Sequence, residues 1–221
     1  MRCRRNTGPS LQPRLDTNGI WLSQLIVMAN SLAQLVKEIR SCALCAHHLP
    51  LGPRPIVQVS NKATILIAGQ APGSRVHQTG IPFDDPSGDR LRAWMGIDRD
   101  TFYNEKKIAL VPMGFCFPGT GKSGDLPPRR ECAETWRAKL LGQLPNIRLT
   151  IVVGQYAQQW HLGEMNGLNL TETVRAWRMY WPKALPLPHP SPRNNIWLKK
   201  NSWFEEEILP NLRTQVNAIL K

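Results

Sequence analysis

At 221 residues, 42% of them hydrophobic and 20% charged, the chain has the composition of a globular protein long enough to bury one full core. Its 28 Lys and Arg outnumber its 16 Asp and Glu, for a net charge of +12. That excess points to a polyanionic partner, because each Lys or Arg that meets a phosphate releases condensed counterions; the other use of such a charge balance is solubility. No apolar run is long enough to span a bilayer, which speaks against membrane insertion.

Residues 1–27 look foreign to the rest. Arg2, Arg4, Arg5 and Arg14 are mixed with Gly, Pro and Asn, and no helical or strand period appears before Ile20. This is a poor secretory signal; its composition predicts a disordered or mis-called extension, with Met28 as the natural start and Cys3 without function. The domain is then 28–221. Leu32, Leu35, Val36 and Ile39 recur at three- and four-residue steps and predict a helix over Ser31–Arg40. Pro50–Pro55 reads as loop, and Ala63–Ala68 as an apolar strand that enters the turn Gly69-Gln70-Ala71-Pro72-Gly73 directly. Asp89–Met95 reads as helix and Lys107–Val111 as the next strand. Phe115–Pro128 holds three Gly and three Pro and reads as loop. Arg129–Leu141 is rich in helix formers; Leu149–Val153 is a buried-type strand, followed by a helix from Gln155 to about Leu162. Leu185–Pro188 reads as the last strand and Trp203–Leu220 as the closing helix, bent or begun again near Pro210.

Strands that alternate with helices predict a mostly parallel sheet covered on both faces, a three-layer α/β/α sandwich. In such sheets ligands bind beyond the carboxyl ends of the strands. The Gly69–Gly73 turn and the segment His189-Pro190-Ser191-Pro192-Arg193-Asn194 each follow a predicted strand, so both should sit at the same end.

The cysteines fall into two pairs. Cys42 and Cys45 are two residues apart, which lets one metal or cluster take both thiolates from a single turn, whereas Cys116 and Cys132 are separated by fifteen residues of loop and helix. Structural zinc usually repeats the close spacing in both halves, while a cubane cluster tolerates wide loops. Four buried cysteines without metal remain the third reading.

Two loops carry the remaining chemistry. Glycine and proline in Gly69–Gly73 bring backbone close to a ligand and stiffen the turn. The continuation Thr79-Gly80-Ile81-Pro82-Phe83 then offers Phe83 as a rigid stacking platform for a base, or as a core residue. In His189-Pro190-Ser191-Pro192 each proline restricts itself and its predecessor, so the loop can press on a backbone at little entropic cost. From the residues alone this is a proline-rich surface turn or a functional loop. Arg193, Asn194 and Asn195 suit phosphate contact and the gap left by a flipped base, and Lys199, Lys200 and Trp203 extend that character.

In this order, the motifs resemble the iron–sulfur (family four) uracil-DNA glycosylases, from about Leu32 to the C-terminus. The resemblance implies a [4Fe–4S] cluster on Cys42, Cys45, Cys116 and Cys132, with zinc or no metal as the alternatives. It implies a base-binding turn at Gly69, Ala71, Pro72 and Gly73, uracil stacked on Phe83, and His189 stabilising charge on the departing base. Ser191, Pro192, Arg193 and Asn194 would hold the DNA. Two departures stand out. The family's Gly-Glu-Ala-Pro-Gly reads Gln70 here in place of its acid, and the asparagine that reads uracil's edge is replaced by Pro112. Gln70 can orient a water but cannot act as a base; His77 can, if neutral. Asp84, Asp85 and Asp89 either supply the missing charge or cap the following helix.

The expectation is therefore a cytoplasmic, monomeric DNA-repair glycosylase that flips a damaged base, uracil first, from single- or double-stranded DNA and hydrolyses its N-glycosidic bond. His189, Gln70 and His77 are its catalytic candidates. The alternatives are a non-catalytic nucleic-acid-binding protein on the same fold, and a glycosylase for another deaminated base.

Overall fold

In the computed structural model, which describes residues 31–122, 124–163 and 168–221, four short apolar runs form the central sheet. The expectation for residues 1–27 lies outside the described residues. Strands β1 (Ile65–Ala68), β2 (Ile108–Leu110), β5 (Leu149–Val153) and β6 (Ala184–Leu187) pair in the order β2-β1-β5-β6, all parallel. A separate antiparallel hairpin, β3 (Thr120–Gly121) with β4 (Gly124–Asp125), stands outside that sheet.

The helices are α1 (Leu32–Arg40), α2 (Ser74–Thr79), α3 (Pro86–Met95), α4 (Arg99–Tyr103), α5 (130–142), α6 (Gln155–Leu162), α7 (Leu170–Arg175), α8 (Asn195–Lys200) and α9 (Leu209–Leu220). They cover both faces. Because side chains alternate along a strand, Ile65 and Ile67 pack with Leu91, Trp94 and Met95 of α3, Val174 of α7, and Leu212 and Val216 of α9. Leu66 faces the other way, onto Leu35 and Ile39 of α1 and Leu140 of α5, and Ala68 meets Ala157 of α6. The result is the three-layer sandwich expected from the alternation. Burying each such aliphatic side chain contributes about 1.5–3 kcal/mol, so the sheet's centre is the stable frame for the loops at its ends.

Helix starts are written locally. The Ser31 side chain accepts from the Gln34 amide before α1, Asp85 accepts from Gly88 with Pro86 in the first turn of α3, and Asn169 and Glu172 form a reciprocal capping box on α7. The sequence pattern did not reveal α2, α4, α7 or α8, each of five or six residues, because so short a helix shows too few turns for a 3.6-residue period. Two further differences are local: α5 contains a π turn over Ala133–Arg137, and the loop predicted for Phe115–Pro128 folds part of itself into the β3–β4 hairpin. The closing helix opens with a π turn at Phe204–Ile208 and continues without a break as α9, with Pro210, which has no amide to donate, directly after the π turn. Among the described residues, no helix is long and apolar enough to cross a membrane.

Parallel pairing delivers three functional segments to one end of the sheet: Ala68 runs into Gly69, Leu110 into Pro112, and Leu187 into His189. Strand order reverses at β1, with β2 on one side and β5 on the other, which opens a crevice there.

Candidate functional site

A cavity of about 560 Å³ occupies that crevice. The whole Gly69–Gly73 turn lines it, together with Phe83, Pro112, His189 and Ser191–Asn194, so the two loops singled out in the sequence do meet. The volume is of the order used for small-molecule and nucleotide ligands.

Phe83 is held from three sides. Its backbone has φ 56°, a left-handed conformation rare outside glycine. Gly88 in α3 passes so close that a Cβ there would lie 1.8 Å from the Phe83 carbonyl oxygen. The ring sits over Gly69, where a Cβ would approach it to 3.1 Å, and its edge meets Phe102 in a T-shaped contact at 6.0 Å. Phe83 is therefore half-buried and packed against the main core, with its ring on the cavity wall.

His189 follows β6. Its Nδ1 accepts from the Ser191 amide at 3.2 Å, and its carbonyl accepts from the Asn194 side chain at 2.7 Å. With Nδ1 used as an acceptor, the proton of the neutral ring belongs on Nε2. Burial pushes the pKa below that of a free imidazole, against the pull of the Asp85 and Asp125 carboxylates. The ring is thus a neutral donor at pH 7.

Gln70 lines the cavity and donates to the Leu126 carbonyl at 3.4 Å, which ties the glycine turn to the residue after the β3–β4 hairpin. Pro112 also lines it, and with Ile56 and Leu110 makes that wall apolar. Arg75 and Arg193 contribute cations. His77 does not line the cavity, contrary to the catalytic expectation. One residue further round α2 than Val76, it is buried, its ring lies 6.1 Å from Phe117, and its Nδ1 has no partner. Burial and the nearby Arg54 guanidinium lower its pKa. Of the three acids considered after the turn, only Asp85 lines the cavity; Asp84 pairs with Arg99 and Asp89 with Arg92.

Two contributors escaped the sequence reading. Asp125, on the hairpin, lines the cavity from a segment that read as featureless loop. Arg137, on the π turn of α5, is fully buried without a carboxylate partner. It donates to the carbonyls of Val111 (2.9 Å) and Pro112 (2.6 Å), meets His161 Nε2, and lies 4.7 Å from the Trp160 ring centroid. Burial brings Arg137 down to about 10, and burial together with the Arg137 charge brings His161 down to about 3. Arg137 fixes the backbone that carries Pro112. A cationic residue beside Trp136 on a predicted helix gives no hint of such burial.

The four cysteines Cys42, Cys45, Cys116 and Cys132 converge on a second, small cavity with Leu44, Leu49, Phe115 and Trp136 around them. None forms a disulfide. The Phe115 amide donates to Cys132 Sγ and the Trp136 indole to Cys42 Sγ, both at 3.3 Å. Among the described residues, no three His, Cys, Asp or Glu side chains form a group suited to a single metal ion. Arg54 joins the two regions: its backbone bonds Cys116, while its guanidinium caps the end of α2 through the carbonyls of His77 and Gln78.

Fold and site define an α/β protein with a ligand cavity at the strand-end crevice of a parallel sheet. The profile of the Uracil DNA glycosylase superfamily matches residues 57–213, and the chain belongs to that superfamily. The match spans every residue named above on the cavity wall except Ile56; of the cysteines it includes Cys116 and Cys132 but not Cys42 and Cys45. Among solved structures, the chain is similar to a Methanosarcina acetivorans protein, provisionally named a uracil DNA glycosylase and determined by solution NMR. Identity is 18%, the TM-score 0.45, and the alignment covers 73% of this chain and 97% of that one.

Proposed function

We propose that this protein is a DNA-repair glycosylase that extrudes a damaged base, uracil first, and hydrolyses its N-glycosidic bond. The observation that carries the reading is the placement of a neutral His189, with its proton on Nε2, in the same cavity as the fixed ring of Phe83. A base stacked on Phe83 would gain about 1–3 kcal/mol. As the C1′–N bond breaks, negative charge grows on the base, and a donor already oriented in a partly dry site stabilises it without reorganisation. Arg75 and Arg193 are suited to flanking phosphates, in keeping with the +12 charge. Gly69, Ala71, Pro72 and Gly73 would lie against the base, and Ser191, Pro192 and Asn194 against the DNA backbone.

We further propose that Cys42, Cys45, Cys116 and Cys132 hold a [4Fe–4S] cluster. They share one cavity, and two N–H donors aim at their sulfurs, as suits a cluster whose sulfurs accept hydrogen bonds. A cubane spreads four thiolates over its corners, whereas one zinc draws all four onto a single ion. Its role would be structural, since Arg54 links the cysteine site to the end of α2.

One observation favours a different base. Pro112 has no side-chain donor or acceptor with which to read uracil's edge, so excision of another deaminated base is the second reading. The test is abasic-site formation by anaerobically purified protein on oligonucleotides with one uracil or one hypoxanthine, single- and double-stranded. Cleavage is expected with the native chain, and His189→Ala should lower it about 10²–10³-fold. Native protein that binds these oligonucleotides but leaves every base in place would refute the reading.

A further inference from the structure

Hydrolysis of an N-glycosidic bond needs an acceptor for the water proton, and the groups first expected to serve do not qualify. His189 carries its proton on Nε2 and spends the Nδ1 lone pair on Ser191. Gln70 is not a base, and His77 does not line the cavity. Two carboxylates remain on the cavity wall, Asp85 and Asp125.

They are placed differently. Asp85 lies two residues from Phe83, and its Oδ1 accepts from the Gly88 amide at the start of α3, so it is committed to the helix on the base-stacking side. Asp125 is exposed and lines the same cavity as Phe83, from the hairpin and not from the helix that carries the stacking ring. Its Oδ1 accepts from the Thr120 hydroxyl at 3.3 Å, which orients the carboxylate, and among the described residues no hydrogen bond reaches Oδ2. That free oxygen lies against the glycine turn: a Cβ on Gly73 would stand 3.3 Å from it. The hairpin is tied to both motifs around it. Gln70 donates to Leu126, and a Cβ on Gly124 would come within 2.4 Å of the Arg193 guanidinium.

We infer that Asp125, supplied by the β3–β4 hairpin, is the general base that replaces the acid missing from the glycine turn. This rests on the glycosylase reading. The C1′–N bond breaks with its electron pair going to the base, whose developing anion accepts from His189 Nε2–H. Water adds through oxygen to C1′, its surplus proton passes to Asp125 Oδ2, and that proton then returns through solvent to the departed base anion, which leaves Asp125 ionised again. The products are the free base and a sugar bearing a C1′ hydroxyl, and no oxidant or further reactant is needed.

The test compares native protein, His189→Ala, Asp125→Asn, Asp125→Glu and Asp85→Asn. Single-turnover rates are measured at saturating protein from pH 4.5 to 9 on an oligonucleotide bearing the excised base, with affinity measured separately. Asp125→Asn should lower the rate about 10²–10⁴-fold. It should leave affinity and Tm unchanged. Asp125→Glu should restore part of the rate, and Asp85→Asn should lower Tm more than rate. An active Asp125→Asn beside an inactive His189→Ala would overturn this inference and leave the glycosylase standing. A rate loss in Asp125→Asn matched by lost affinity would also overturn it, because that is the mark of a DNA contact. A native protein inactive on every base would remove the reaction and this inference together.

Discussion

Gly88→Ala tests whether the Phe83 platform is built as described, because two opposing effects predict opposite signs. In a helix free of contacts, replacing Gly by Ala stabilises by about 1 kcal/mol. At position 88 the new Cβ would lie 1.8 Å from the Phe83 carbonyl oxygen and 2.9 Å from Phe83 Cβ, so backbone must move. Overpacking of this kind costs about 1–3 kcal/mol. Displacing the residue also strains the Asp85–Gly88 cap, worth about 1 kcal/mol, which offsets the gain in helix propensity. The net expectation is a loss of about 1–3 kcal/mol, or roughly 3–10 °C in Tm for a domain of this size. Thermal melts followed by circular dichroism and urea titrations would measure it. Gly142→Ala is the control: nothing lies within 4 Å of its added Cβ, so it should be neutral or stabilise by up to about 1 kcal/mol. A Gly88→Ala protein as stable as the native one would refute the close approach, and with it the argument that α3 holds Phe83 in place.

Two further outcomes are expected. His161, lowered to about 3 from an ordinary 6.5, stays neutral in the fold at pH values where the unfolded chain binds a proton. Its contribution is therefore present above pH 6.5 and lost as pH falls toward 3, by about 2 kcal/mol at pH 5. His161→Gln, which keeps an acceptor for Arg137, should flatten the stability curve over that window, and parallel curves for the two proteins would count against the buried pair. Separately, Cys42→Ser and Cys132→Ser should each yield colourless, iron-poor and less soluble protein. Full iron content in either variant, by metal analysis, would remove that cysteine from the ligand set.

Much of the architecture was legible because its physical causes are local. Leu149–Val153 and the helix from Gln155 to Leu162 were read to the residue, since a buried parallel strand is a continuous apolar run and Gly154 marks the break between strand and helix. The glycine turn, Phe83 and the His189 loop were recognisable by residue type and order, and parallel pairing then brought them together at one sheet end. What the sequence could not convey depends on contacts between distant segments. His77 and Val76 are neighbours in sequence and both are buried, yet only Val76 lines the cavity, while the His77 ring packs near Phe117, a choice made by the short helix α2. Asp125 reaches the glycine turn only because a loop of glycines and prolines folds back as a hairpin, and Arg137 becomes a buried clamp only once α5 packs over the end of β2. Hydrophobic periodicity determined the sandwich and the end at which chemistry is done; tertiary packing decided which charged and polar groups reach it, because a charge's partners, unlike its helix or strand, are set by residues far along the chain.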